Sequence, residues 1–387
     1  MTKNILRIVI SSPFYLPGYQ AGGALRTVVN LVNQLKLNSD FEIYIITSDR
    51  DSRMDEAYEN IPTEKWFNND GVNIYYVDSK KLTMEYWRHL LNSIEYDVLY
   101  LNSFFSFAFS IRPLVLLRLG KLLNKNVIMA PRGEMGAGAL SIKPFKKRLF
   151  IRLFIASNLH RFIEFQASSE FERDDIKDVF GEDIKITISP DLPVAPPREI
   201  VHLGKQIGEL KLIFLSRITP VKNLYGALSA LEKHTGSCQL NIYGPISDKD
   251  YWDKCQKLIL TLPSTIEVLY HGEAKYSDVG KILSSNHFLF LLTQGENFGH
   301  VIFESLSNGC PLIISNKTIW RGLKEIGVGW DLETGNYNLI NEILVRCQEM
   351  DNETYNRMRL NAHKYALEYI TEGDALADNC AMFNKYK

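Results

Sequence analysis

The chain has 387 residues, 45% apolar and 23% charged, which excludes a single small module, a disordered chain and a collagen-like repeat and points to two globular domains or one large one with insertions. Its 44 Lys plus Arg against 45 Asp plus Glu leave a net charge of -1, so the whole chain has no electrostatic preference for nucleic acid. The five cysteines, Cys238, Cys255, Cys310, Cys347 and Cys380, are odd in number and too widely spaced for a disulfide framework or a zinc site.

Short apolar runs rich in β-branched and aromatic residues predict strands at 6–11, 41–47, 72–77, 97–101, 126–130, 162–167 and 184–188. The stretches between them carry helical periodicity, as in Val28, Leu31, Val32 and Leu35. Strand and helix alternating in this way imply a parallel sheet covered on both faces. The run at 1–12 ends at Pro13, short of the roughly 7 to 15 apolar residues of a secretory signal. No apolar run reaches the roughly 18 residues that span a bilayer, and the expected location is cytoplasmic.

The loop at 11–25 ends in Gly22-Gly23 at a helix start. Such glycines let backbone amides approach a phosphate, or simply make a mobile loop; both readings stay open. The loop is not a GxGxxG fingerprint, although Asp49 after the second strand imitates the ribose acid of a nicotinamide site. Between Arg112 and Arg161 lie eleven Lys/Arg and the single acid Glu134, so one face of the first half should be basic. Within it, 141–161 combines Lys143, Lys146, Lys147, Arg148 and Arg152 with Phe145, Leu149, Phe150, Leu153 and Phe154. That helix either lies on an anionic membrane surface or covers the sheet with a solvated charged face.

The rhythm breaks at Pro190, Pro193, Pro196 and Pro197 and restarts with strands at 211–216, 238–243, 265–270, 287–292 and 311–315. Helical patterns follow at 221–233, 250–262, 277–284 and 299–308, and from 338 to the end. The expected architecture is α/β, with two Rossmann-like doubly wound domains in tandem and a ligand cleft where their strand ends face each other. The expected divisions are a first domain at 1–190, a linker at 191–210, a second domain at 211–365, and a helical end at 366–387 that packs back on the first domain.

Two motifs of the second half carry candidate chemistry. Arg217 and Lys222 sit five residues apart where a strand gives way to a helix, as a pyrophosphate leaving group requires, though any such pair can also be solvated loop charges. Gly295-Glu296-Asn297-Phe298-Gly299-His300 then runs into a helix containing Glu304, which sets helix N-terminal amides between two carboxylates. The eight histidines show no paired-ligand spacing, and no metal is assigned.

Gly22-Gly23, Arg217-x4-Lys222, Tyr243-Gly244-Pro245, Glu296-x7-Glu304 and Gly309-Cys310-Pro311, in that order, resemble glycosyltransferase family 4 with the GT-B fold. Pro131-Arg132-Gly133-Glu134, Ala167-Ser168-Ser169-Glu170 and Thr318-Ile319-Trp320 resemble the same pattern. The resemblance implies a retaining, metal-independent transferase that takes a nucleotide-diphosphate sugar and needs no cofactor. It implies Arg217 and Lys222 on the diphosphate, Glu304 on the ribose, and Glu296 beside the reacting carbon, with Gly22, Gly23 and Asn297 to His300 closing on the donor. Tyr270, His271, Gly272 and Glu273 are expected to border the base, and Arg132, Glu134 and Asn102 to face the acceptor. Expected partners are the sugar nucleotide, a saccharide or lipid-linked acceptor and an anionic membrane surface, with no nucleic acid. The pattern departs from the family at Asp191 and Asn223, where Asn and Gly are usual, and at Asn102, where His is frequent. A sugar-nucleotide epimerase of similar build and a non-catalytic sugar-nucleotide-binding subunit are the alternatives.

Overall fold

The central strands of the protein's two sheets, such as Leu6–Ser12, Val98–Asn102 and Phe288–Leu291, are largely apolar and buried, as expected where both faces of a sheet are covered. The structure, a computed structural model, describes residues 5–52, 54–123 and 126–387; the first four residues of the amino-terminal run lie outside it. The chain divides into unit 1, Met1–Leu192 with Asp374–Lys387, and unit 2, Pro193–Gly373.

Among the described residues unit 1 has strands β1 Leu6–Ser12, β2 Phe41–Ser48, β3 Phe67–Asn69, β4 Val72–Val77, β5 Val98–Asn102, β6 Val127–Ala130, β7 Glu164–Ala167 and β8 Ile186–Ile188. Their spatial order is β3-β4-β2-β1-β5-β6-β7-β8, parallel except at the β3–β4 edge. That hairpin, which the sequence reading omitted, turns at Asp70-Gly71, where φ is 51° and 80°. Asp-Gly at positive φ is the turn that a two-residue hairpin prefers.

Side chains of β1 alternate between two cores. Val9 packs with Trp87, Leu101, Phe104 and Phe154 on one face. Ile8 and Ile10 join Val28, Leu31, Val32 and Leu35 of the helix Gly23–Leu35 on the other. The carboxyl-terminal helix Ala375–Asn384 adds Phe383 to this second core, its ring centroid 5.5 Å from that of Tyr100 and 6.4 Å from that of Phe41.

Unit 2 has strands β9 Lys211–Leu215, β10 Cys238–Tyr243, β11 Ile266–Tyr270, β12 Phe288–Leu291, β13 Leu312–Ser315 and β14 Gly329–Leu332. All pair parallel in the order β11-β10-β9-β12-β13-β14, the doubly wound order whose direction reverses between β9 and β12. The sequence reading did not mark β14. It begins at Gly329 with φ 147°, where a Cβ would stand 2.1 Å from the Leu312 carbonyl oxygen, so only glycine lets the two strands meet.

Two boundaries differ from expectation. The segment read as a linker at 191–210 is not a free connection, because most of it is nailed into unit 2. Buried Lys205 donates to the carbonyl oxygens of Gln206 (3.2 Å), Gln348 (3.0 Å) and Met350 (3.1 Å), placing its charge at the carboxyl end of the helix Tyr337–Glu349. Buried Arg359 reaches the carbonyls of Gly309 and Val201. The stretch 366–373 stays with unit 2 as the end of the helix Asn352–Thr371, and the segment assigned to unit 1 starts at Asp374. No helix among the described residues is long and apolar enough to cross a membrane.

His287, immediately before β12, is fully buried and accepts the Lys211 backbone N–H on Nδ1 at 3.0 Å. Burial pushes its pKa down to about 4, with Glu209 opposing and Lys205 and Lys211 assisting. An unfolded chain takes up this proton near pH ~6.5. Stability from the neutral imidazole is therefore present above that pH and drains away as pH falls toward the folded value, by about 3 kcal/mol at pH ~4. Urea unfolding of wild type and of His287→Gln at several pH values measures this. The wild type should show the steeper loss, and parallel curves would refute a buried neutral histidine.

Candidate functional site

The site residues of unit 2 sit on loops at the carboxyl ends of its parallel strands. Leaving β9, the chain is pinned to the β10 loop by Ser216 N–H on the Tyr243 carbonyl (3.0 Å) and Ile218 N–H on the Pro245 carbonyl (2.9 Å). Gly244 permits this contact: at φ 141° its Cβ would lie 2.0 Å from the Ser216 carbonyl oxygen. Arg217 is exposed on the same loop. The loop closes in the short turn Pro220–Lys222, which presents Lys222 toward β12.

Asn223 explains one departure from the family pattern. It holds φ 56° in the left-handed region, which Gly adopts freely and Asn tolerates better than most residues. Its Oδ1 accepts the Gly226 N–H at 3.2 Å to cap the helix Leu224–Leu231, and its Nδ2 donates to the Leu292 carbonyl at 2.8 Å. The side chain thus makes two hydrogen bonds that a glycine has no atoms to make.

The β12 loop is fixed from three sides. Gln294 N–H bonds the Val221 carbonyl at 2.7 Å, Ser315 Oγ donates to the Thr293 carbonyl at 2.6 Å, and Glu296 N–H donates to the Lys317 carbonyl at 3.1 Å. On this support Lys222 Nζ forms an ion pair with Glu296 Oε1, with the two side chains only 16% and 11% exposed. The structure therefore brings together the two residues that the sequence proposed for phosphate and sugar.

Phe298 is buried against Trp320, whose Nε1 donates to the Phe298 carbonyl at 2.7 Å. The sequence reading gave Trp320 only as part of a resembling motif and missed its task of bracing the loop. Gly299, at φ 77°, turns the chain into the helix His300–Ser307. Its first amides lack intrahelical acceptors by construction, so this end favours an anion. Asn297 precedes it, and Glu304 lies half-buried within it.

On β11 the exposed Tyr270 donates from its hydroxyl to the Gly244 carbonyl at 3.0 Å, and Gly244 N–H donates to the Gly272 carbonyl at 2.8 Å. The His271 ring stacks on Tyr243 with centroids 4.4 Å apart and planes 12° from parallel. Glu273 is exposed beyond them. These residues form an aromatic border beside the β9 loop.

The first-half candidates lie in unit 1 and carry structural bonds. Gly22 precedes the helix Gly23–Leu35 at φ 63°, with space around it, while the loop before it hangs on Asp51, whose Oδ2 accepts from Tyr19 N–H (2.8 Å) and Gln20 N–H (3.1 Å). Asp49, the imitation ribose acid, is held by neighbouring Arg50 at 2.8 Å. Arg132 is held by side chains of unit 1. Its guanidinium pairs with Asp191, donates to the Tyr100 hydroxyl, and reaches Asn102 Oδ1 at 2.9 Å, the side chains of the pair being 7% and 3% exposed. Asn102 is itself buried in this network. Glu134 accepts from Ser103 Oγ (2.7 Å) and from the N–H groups of Phe104 (2.6 Å) and Phe105 (3.1 Å), and burial pushes its carboxyl above the ordinary range. Among the described residues no cluster of His, Cys, Asp and Glu is arranged to hold a metal.

Asn223→Ala removes a helix cap and forces the left-handed turn on an unsuited residue, so chemical denaturation should show a loss of about 2 kcal/mol. Asn223→Gly keeps the turn and should lose clearly less; equal losses would assign the whole effect to the hydrogen bonds.

Comparison with known proteins bears on the fold and on the family of the second half. The Bacillus subtilis (strain 168) poly(glycerol-phosphate) alpha-glucosyltransferase is 25% identical over 211 residues, a match spanning 52% of this chain but only 30% of that protein. The Anabaena protein HepE, solved with UDP and glucose, matches 98% of this chain and 99% of its own at 14% identity and TM-score 0.68. Sucrose-phosphate synthase from Thermosynechococcus elongatus matches 98% of each chain at 13% identity and TM-score 0.73. Both likenesses are of fold, two parallel-sheet α/β units of the GT-B class. Residues 197–365, which carry Arg217, Lys222, Glu296 and Glu304 and lie within unit 2, match the family described as glycosyl transferases group 1.

Proposed function

We propose that the chain is a retaining family 4 glycosyltransferase that moves a sugar from a nucleotide-diphosphate sugar to a saccharide or lipid-linked saccharide, in the synthesis of a surface polysaccharide or glycolipid. The observation that carries this reading is the contact of Lys222 with Glu296 where the strand order reverses. A cation for the leaving diphosphate and a carboxylate for the transferred sugar there stand within one bond's reach of each other.

In this reading the β9 loop and the start of the helix His300–Ser307 hold the diphosphate. Arg217 and Lys222 supply charge, and the helix N-terminus adds its dipole. These groups meet the leaving-group charge as the sugar-phosphate bond breaks, so the reading requires neither a resident metal nor another cofactor. Glu304 takes the ribose hydroxyls, the border of Tyr270, His271, Gly272 and Glu273 flanks the base, and Glu296 lies beside the anomeric carbon. Departure and attack then occur on one face of the sugar, with a phosphate oxygen accepting the acceptor's proton. The enzyme works in the cytoplasm, at the inner face of the membrane when its acceptor is lipid-linked.

A structurally similar HepE complex contains UDP-glucose, and the Bacillus relative is described as a glucosyltransferase, which makes uridine diphosphate sugars the first donors to try. A panel of sugar nucleotides screened for thermal stabilisation tests the donor assignment, because a ligand at a hundred times its dissociation constant adds about 2.7 kcal/mol to folding stability. Lys222→Ala should weaken binding of the selected donor by about 1.5 to 3 kcal/mol. Unchanged affinity in that variant would move the diphosphate elsewhere. Glu296→Gln should lower turnover at least about a hundred-fold. Nucleoside diphosphate binding should survive or tighten, since Lys222 loses a competing carboxylate; full turnover would remove Glu296 from the reaction.

A further inference from the structure

The helix Pro144–Ala156 of unit 1 has two apolar faces. One does the ordinary work of a covering helix. Ile151 and Phe154 are buried, and Phe154 and Phe150 pack against Phe104 with ring centroids 4.7 and 5.6 Å away. The opposite face should then be polar. Instead Phe145, Leu149 and Leu153 recur there at every fourth position and are 80%, 50% and 61% exposed, with Ile142 just before the helix at 47%.

Charge frames this stripe. At about 100° per residue, Lys146 falls on one flank and Arg148 and Arg152 on the other, all three exposed, with exposed Lys143 at the helix start. From 135 to 163 the sequence holds six Lys/Arg and no Asp or Glu. Lys147 is the exception in direction: it turns inward, donating to the Ala139 carbonyl at 2.7 Å with its ammonium 4.8 Å from the centre of the Phe105 ring. Beside the helix, exposed Phe162 sits under the Arg118 guanidinium at 5.3 Å.

We infer that this outer face is a docking surface for an anionic lipid bilayer. Phe145, Leu149 and Leu153 enter the boundary between headgroups and acyl chains, and Lys143, Lys146, Arg148 and Arg152 meet the lipid phosphates. The occupant follows from complementarity. An apolar stripe bordered on both sides by cations, on a stretch of chain without Asp or Glu, matches a surface that is apolar below and uniformly negative above. The inference adds to the proposed function the place where a lipid-linked acceptor would be met, but it concerns unit 1 alone and stands even if the donor assignment fails.

The test is co-sedimentation of the full chain with vesicles of phosphatidylglycerol and phosphatidylcholine, and with phosphatidylcholine alone. Binding is expected to the anionic vesicles, to weaken as salt is raised, and to be slight on the neutral ones. Reversing three charges, Lys146→Glu, Arg148→Glu and Arg152→Glu together, should lower the partition coefficient about a hundred-fold. Phe145→Ser with Leu149→Ser and Leu153→Ser should abolish binding while leaving thermal stability near wild type, since these side chains are exposed. Vesicle binding unchanged in both variants would overturn the inference. So would a wild type that ignores vesicles but forms a dimer which the serine variant dissolves, for the stripe would then belong to a second copy of the chain. Donor-induced stabilisation, read in the same variants, should be unaltered, which keeps this result separate from the donor reading.

Discussion

The reversal of strand order between β9 and β12 is the constraint on which the candidate site depends. From β9 the chain crosses to β10 in one direction, and from β12 it crosses to β13 in the other. Right-handed crossovers therefore send the two intervening helical connections to opposite faces of the sheet. The loops leaving β9 and β12 are left side by side with no helix between them, and a crevice opens at their carboxyl ends. Lys222 comes from one loop and Glu296 from the other, so the contact between them is a consequence of topology before it is one of side-chain chemistry.

The protein treats its buried charges in three different ways, and the contrast separates scaffold from site. Lys205 is satisfied by carbonyl oxygens at a helix end, with no carboxylate needed. Arg132 and Asp191 neutralise each other under nearly complete burial, and each has further partners in Tyr100, Asn102 and Thr27. Removing one member of such a pair leaves an uncompensated charge in a low-dielectric interior, which makes it a poor element to disturb during turnover. Lys222 and Glu296 are less buried and sit on loops at strand ends, where an incoming anion can exchange for the carboxylate at smaller cost. That difference in burial is what the proposed role of the last pair rests on, and it fits a structural burden for the first two.

Much of this was legible in the sequence because it depends on short-range rules. Apolar runs and helical periodicity located most strands of both sheets, and the loop glycines and cations fell where strands end. Hidden features depend on what lies across space. Phe67–Asn69 is too short and polar to announce a strand, although Asp70-Gly71 carried a hairpin signal that went unused. Gly329 reads as a breaker until the Leu312 carbonyl beside it shows why a strand needs glycine there. The partners of Arg132, Glu134 and Asn102 were equally hidden, because sequence cannot tell a polar group facing solvent from one bonded to a buried partner. Asp191, the partner of Arg132, lies 59 residues further along the chain.

The family departures sharpen that point. Asn223 and Asp191 stand where Gly and Asn are usual, and neither leaves its environment unserved. At Asn223 the backbone demands a left-handed turn, which asparagine tolerates, and the side chain then adds a cap and a tie to Leu292. At Asp191 the environment contains a buried guanidinium, and a carboxylate answers it more fully than an amide can. A substitution at a patterned position is therefore to be judged by the dihedral angle and the charge that its surroundings require. By that measure both departures belong to the scaffold, whereas Arg217, Lys222, Glu296 and Glu304, the residues proposed to meet the donor, keep the pattern.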